Sequence, residues 1–165
     1  RTSLGAAATQ ALIEHWKVIA TMAFNIGGLV GTLLTIPIAK RLGRRLMFGL
    51  YFGASAVAFL TIFGLDMPAQ TRLAMFFVIG MPVFGIFGAF PYYLPELFPT
   101  RVRATGAGFC YNIGRVLASV GPFLVGAAAA HNTAMQSIFY VGFVPLVALL
   151  FVPWIIETRG QPLSD

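Results

Sequence analysis

Charge is scarce in this chain: of its 165 residues only 10% are Asp, Glu, Lys or Arg, whereas 58% are hydrophobic. So little polar surface cannot coat a water-soluble domain of this size, which excludes the soluble globular classes. Acids are scarcer still, with 5 Asp and Glu against 11 Lys and Arg. The surplus of +6 would suit nucleic acid if it formed one basic face. It falls instead in short gaps between apolar runs, so topology explains it and no nucleic-acid partner is expected. The single cysteine, Cys110, excludes an internal disulfide, and inside an apolar run it reads as a small packing residue. His15 and His131 fall in expected loops with no Cys or second His at metal-ligand spacing, and no glycine-rich loop is followed by a phosphate-binding lysine. No catalytic constellation is present, so an enzyme is not expected and no cofactor or metal is implied.

What is present is apolar sequence in lengths that match a bilayer. Crossing a hydrocarbon core of about 30 Å takes about 20 helical residues at 1.5 Å each. Runs of that length fall at about 17–39, 46–65, 73–95, 106–130 and 136–156. The gaps at 40–45, 66–72, 96–105 and 131–135 are short enough to force neighbouring helices antiparallel. The fold class is therefore all-α and integral to a membrane, with the lipid bilayer as its first partner.

Basic residues then orient the chain. Lys40, Arg41, Arg44 and Arg45 lie in the first gap, Arg101 and Arg103 in the third and Arg159 in the tail, while the second gap holds only Arg72 and the fourth none. The positive-inside rule makes the first and third gaps and the C-terminus cytoplasmic. Five spans then put the segment ending near Glu14, His15 and Trp16 outside. That segment holds no signal peptide, so at least one more helix is expected before Arg1, and the chain reads as a fragment.

Three short motifs carry more than topology. In 38–45, IAKRLGRR, Gly43 permits a tight turn, and Arg44 and Arg45 stand where cations meet helix C-terminal dipoles and anionic headgroups. In 95–115, PELFPTRVRATGAGFCYNIGR, Pro95 and Pro99 stop a helix and stiffen a loop holding Glu96, Arg101 and Arg103. The tail carries Glu157-Thr158-Arg159-Gly160. In order, spacing and orientation these motifs resemble the major facilitator superfamily of transporters. The first is similar to the turn between helices two and three of each six-helix half, although the family's aspartate is replaced here by Lys40. The second is similar to the loop between helices ten and eleven of its metabolite:H+ symporter and sugar-porter branches, and the third to the tail after helix twelve of sugar porters. The resemblance implies helices eight to twelve of a twelve-helix bundle, with helix seven and the N-terminal half of the same protein as missing partners. It implies a bacterial inner membrane or other cell membrane, and proton-coupled movement of a small organic metabolite.

Glu96 is expected to pair with Arg103 or with a basic residue of the first gap and hold the cytoplasmic end closed. Solvated loop charges are the alternative, since exposed pairs contribute only about 0 to 1 kcal/mol.

Within the spans, Thr21, Asn25, Gly28, Thr32 and Thr35 recur at helical spacing and form one stripe, with Gly27 and Gly31 beside it for close helix approach. The stripe is either a packing seam or a substrate-lining face, and Asn25 is its costliest member. Asn112, Arg115 and Ser119 share a face of the fourth span beside Tyr111. Arg115 stands about 15 Å into its helix, where a charge pairs with an acid or a carbonyl or meets an anionic substrate. No acid lies at matching depth in these spans, so its partner is either outside this chain or a ligand carboxylate.

Gly80, Pro82, Gly85, Gly88, Pro91 and Pro95 make the third span the most breakable. The second and last spans, without internal charge, read as outer, lipid-facing helices. The expected function is alternating-access transport of an organic acid or sugar, with Arg115, Asn112 and Asn25 as substrate candidates. Gly43, Arg44, Arg45, Glu96, Arg101 and Arg103 form the candidate gate. A truncated, non-transporting membrane module is the rival, and in either case no metal is expected.

Overall fold

A computed structural model describes residues 2–131 and 134–161, with no side-chain account of residues 2–8, 128, 129, 131, 134 and 135. All of its regular elements are helical: α1 (Thr2–Leu42), α2 (Arg44–Gly64), α3 (Ala69–Glu96), α4 (Arg103–Ala118), α5 (Val120–His131), α6 (Ala134–Val141), α7 (Phe143–Phe151) and a closing 3-10 turn, Val152–Trp154. They supply five stretches long and apolar enough to cross a membrane: Thr9–Leu42, Arg44–Gly64, Ala69–Glu96, Arg103–Ala127 and Gln136–Trp154. The fourth joins α4 to α5 across Ser119, whose hydroxyl bonds the Val116 carbonyl at 2.7 Å just before Pro122 withholds its N–H. The last is divided at Gly142.

Several local outcomes differ from the sequence expectation. Helix α1 begins at Thr2, so His15 is helical rather than in a loop, and His131 ends α5, its side chain outside the described residues. Of the rest of the expected fourth gap, 131–135, residues 132 and 133 lie outside the described residues and Ala134 already opens α6. The first gap shrinks to Gly43 alone, because Lys40 and Arg41 continue α1. Gly43 can break the chain there by adopting φ 92, a left-handed value that costs a side-chain-bearing residue strain. Helix α3 is unbroken in spite of Pro82, Pro91 and Pro95. Helix α2 is not an outer helix within this chain: 39% of its apolar window is buried against 0% for Arg103–Ala127. It lies between α1 and α3 on one side and α6 and α7 on the other, so an apolar surface all round a membrane helix hides which face is covered.

Helices α1 and α3 form the tightest pair. A Cβ at Gly27 would run into the Phe77 carbonyl, one at Gly31 into that of Met81, and one at Gly80 into that of Phe24. Backbones approach this closely only where side chains are absent, so the glycine step pins the crossing. Thr35 fixes the third helix to the pair. Its Oγ1 donates to the Gly31 or Gly85 carbonyls, at 2.8 and 3.1 Å, and lies 3.1 Å from the Tyr51 hydroxyl, which donates to Gly31. Below this knot, Met47, Phe48, Tyr51, Ala89 and Tyr93 pack as a core near the basic end, and Ala58, Ile62 and Ile79 as another toward the far end.

Candidate functional site

The basic end is where three separate segments meet. Gly43 opens α2 without a side chain, so the first N–H groups of that helix need an acceptor from elsewhere. Glu157 supplies it: Oε1 accepts from Arg44 N at 2.9 Å and Oε2 from Arg45 N at 3.1 Å, while Arg159 N also donates to Oε1 at 3.0 Å. A carboxylate at a helix N-terminus also meets the positive end of its dipole. Burial alone would push the Glu157 carboxyl up, but the three backbone donors and the Arg44 charge outweigh it and hold the group below the usual carboxylate range. Space for this cap again depends on Gly43, where a Cβ would sit 2.5 Å from Glu157 Oε2.

Beside the cap, Arg44 grips Glu96 at the end of α3. Its Nη2 reaches Oε1 at 2.7 Å and its Nε reaches Oε2 at 3.1 Å, a two-pronged pair with both side chains mostly covered, at 15% and 19% exposure. The guanidinium also donates to the Ala39 carbonyl at 3.3 Å and lies 5.9 Å from the centre of the Tyr92 ring. Thr158 donates its hydroxyl to Glu96 Oε2. Arg45 binds the Ile155 carbonyl through Nε and Nη2, at 3.2 and 3.0 Å, and the Tyr93 hydroxyl donates to Ile156 at 3.0 Å. The α1–α2 turn, the end of α3 and the tail are thereby tied into one charged knot.

Of the two partners expected for Glu96, the first-gap arginine is the one it meets. Arg103 instead donates to the Phe98 carbonyl at 3.2 Å, stapling the α3–α4 loop, and Arg101 is exposed. Glu157 and Thr158 are the members that sequence reasoning missed.

The three substrate candidates do not converge. Helix α4 packs on α3 and not on α1 among the described residues, which separates Asn25 from Asn112 and Arg115. Both asparagines donate to their own helix, Asn25 to Thr21 and Asn112 to Gly108, each at 2.8 Å, and both are exposed. Arg115 is exposed too, 5.8 Å from the centre of the Tyr111 ring, and no carboxylate among the described residues pairs with it. It lies 12 residues after Arg103, about 18 Å along the helix.

Comparison with known proteins agrees with this architecture. A protein of Cupriavidus pinatubonensis named as a probable 4-methylmuconolactone transporter is 28% identical over 90% of this chain and 35% of its own length. The inner membrane metabolite transport protein YdjE of Escherichia coli K12 is 28% identical over 90% of this chain and 33% of its own. The synaptic vesicle 2-related protein of Rattus norvegicus is 31% identical over 82% of this chain and 24% of its own. The chain thus spans about a third or less of the curated relatives it matches. Its five apolar helices make it a multi-pass membrane protein. Residues 7–165 match the family described as "Sugar (and other) transporter", and the chain belongs to that family, within the major facilitator superfamily.

Proposed function

We propose that this chain is the C-terminal-half portion of a secondary transporter that moves a small organic metabolite by alternating access. The missing helix seven and N-terminal half would complete the bundle around a midplane site. The observation that carries the reading is the Arg44–Glu96–Glu157 knot, a mostly covered cluster that ties the α1–α2 turn, the end of α3 and the tail together at one end of the bundle. The basic end is cytoplasmic, as is the C-terminus, in a bacterial inner membrane or other cell membrane. Arg115 supports an organic acid over a neutral sugar: deep in α4, exposed and unmatched by a carboxylate among the described residues, it offers an anionic substrate a partner. The relative named for 4-methylmuconolactone and the one named for metabolite transport support a small organic cargo. Proton coupling would then rest on an acid outside this chain, because the two acids within its apolar helices, Glu14 and Glu96, are paired with Lys17 and Arg44, and no Asp or Glu falls between Lys17 and Leu65, between Ala69 and Pro95, or between Arg103 and Ile156.

The test is uptake of labelled organic acids and sugars by vesicles holding the full-length gene product, with and without a pH gradient, for wild type and Arg115→Gln. Selective loss of acid uptake at normal membrane levels is expected. No uptake of any compound by the wild type would favour a non-transporting module, and acid uptake untouched by the variant would remove Arg115 from the substrate.

A further inference from the structure

The knot uses up the acids at the basic end and leaves cations over. Glu96 is held by Arg44 and Thr158, and Glu157 by the backbone N–H groups of Arg44, Arg45 and Arg159. Lys40 and Arg41, in the last turn of α1, are exposed, and neither side chain makes an ion pair or a hydrogen bond among the described residues. Arg45 spends its Nε and Nη2 on the Ile155 carbonyl and keeps its Nη1 uncommitted. Five cations (Lys40, Arg41, Arg44, Arg45 and Arg159) thus stand against two carboxylates, and the α1–α2 corner keeps a surplus of +3.

That surplus sits at headgroup level. Helix α2 has 21 residues and is about 31 Å long, the thickness of a hydrocarbon core of about 30 Å, so its first turn meets the edge of the core. Trp154 marks the same level: 75% exposed, it precedes the Ile155 that Arg45 holds and ends an outward apolar stripe of Phe143, Val147 and Leu150, as interfacial tryptophans do. Lys40 ends a second such stripe, because the exposed Met22, Ile26, Leu29, Leu33 and Ile36 precede it at steps of four and three. Hydrocarbon along a helix and an anion at its end are what one phospholipid brings. We propose that the α1–α2 corner is a site for an anionic phospholipid, with its phosphate at Lys40, Arg41 and the open side of Arg45 and its acyl chains along Ile36 and Leu33. A zwitterionic lipid carries its own cation beside the phosphate, so the surplus selects a headgroup of net negative charge. The site needs only the membrane helices and stands apart from the transport reading.

The test uses the full-length gene product with its native cysteines replaced and a bimane fluorophore on Leu33→Cys, in nanodiscs of mixed phosphatidylglycerol and phosphatidylcholine. Brominating the acyl chains of one lipid or the other makes quenching report which of them lies against α1. Phosphatidylglycerol should quench more than its bulk fraction predicts, and added salt should weaken the preference. A Lys or Arg near an anionic lipid surface is worth about fivefold, so Lys40→Gln and Arg41→Gln should each lower the preference about fivefold. Lys40→Arg should keep it, as should Lys17→Gln, which lies toward the opposite end of α1 and removes a cation already paired with Glu14. The melting temperature of each variant confirms folding. Quenching that follows the bulk composition would overturn the proposal, as would a preference unmoved in Lys40→Gln and Arg41→Gln together. Loss of the preference on adding glycerol 3-phosphate would make the corner a soluble-anion site, and no quenching by either lipid would show the stripe covered by protein; each result would also overturn it.

Discussion

Removing the charge of Glu96 tests the knot most sharply. In Glu96→Gln the Arg44 guanidinium keeps its place against Ala39 and Tyr92 but loses its counter-ion. Exposed ion pairs contribute about 0 to 1 kcal/mol, whereas breaking a fully buried pair costs about 3 to 5 kcal/mol. With side chains 15% and 19% exposed and a two-pronged geometry, this pair falls between those limits, so we expect a loss of about 2 kcal/mol from the clamped state. That is about a thirtyfold shift in the ratio of clamped to open molecules. Ala39 reports the shift, because it is 1% exposed beneath the clamp and its carbonyl accepts from Arg44. In a full-length Cys110→Ser background, Ala39→Cys should be alkylated by a polar maleimide about thirtyfold faster when Glu96→Gln is added. Arg44→Gln should give a similar acceleration, and the double variant should be little faster than either single one, since both remove the same interaction. An alkylation rate unmoved by Glu96→Gln would refute the reasoning.

Other outcomes follow from the same geometry. Gly43→Ala should cost about 2 kcal/mol in thermal unfolding, from forcing a Cβ residue to φ 92 and from displacing the Glu157 cap, whereas Gly53→Ala, which meets nothing, should be neutral or slightly stabilising. Glu157 has its carboxyl held below the usual range, so its contribution is complete above the ordinary carboxylate pKa of about 4.3 and is lost as pH falls through the lowered folded value. The melting temperature of the wild type should therefore drop on acidification below about pH 4, and Glu157→Gln should be less stable at neutral pH and flatter through that window. Gly31→Val should lower stability by about 3 kcal/mol or more by prising α1 from the Met81 backbone, while Gly108→Val, in open space, should cost under about 1 kcal/mol in the same assay.

How much of this was legible in the sequence depends on the range of the interaction. The five spans were, because an apolar run of bilayer length is a local signal, and so was the Gly27–Gly31 step that sets the α1–α3 crossing. The Arg44 partnership of Glu96 was foreseen only as one of several pairings, since charge alone does not choose among arginines. The role of Glu157 was hidden by a separation of 113 residues from Arg44. A signal for it existed: Gly43 offers no cap, and a chain with 5 acids has few candidates to replace one. The polar stripe of α1 left Asn25 open between a packing seam and a ligand-facing surface, because spacing cannot distinguish an amide aimed at a ligand from one bonded to its own Thr21 carbonyl. The burial of α2 was equally invisible, as bilayer-facing and protein-facing surfaces are both apolar.

The most direct test of the account is whether the clamp responds to cargo. Alkylation of Ala39→Cys should be followed in proteoliposomes of the full-length protein, with and without an organic acid of the class proposed as its cargo. A moving clamp predicts that the acid changes the alkylation rate severalfold and that Arg115→Gln abolishes the change. An identical rate with and without the acid, in a protein that still transports it, would show that the Arg44–Glu96–Glu157 knot is static and contradict the account.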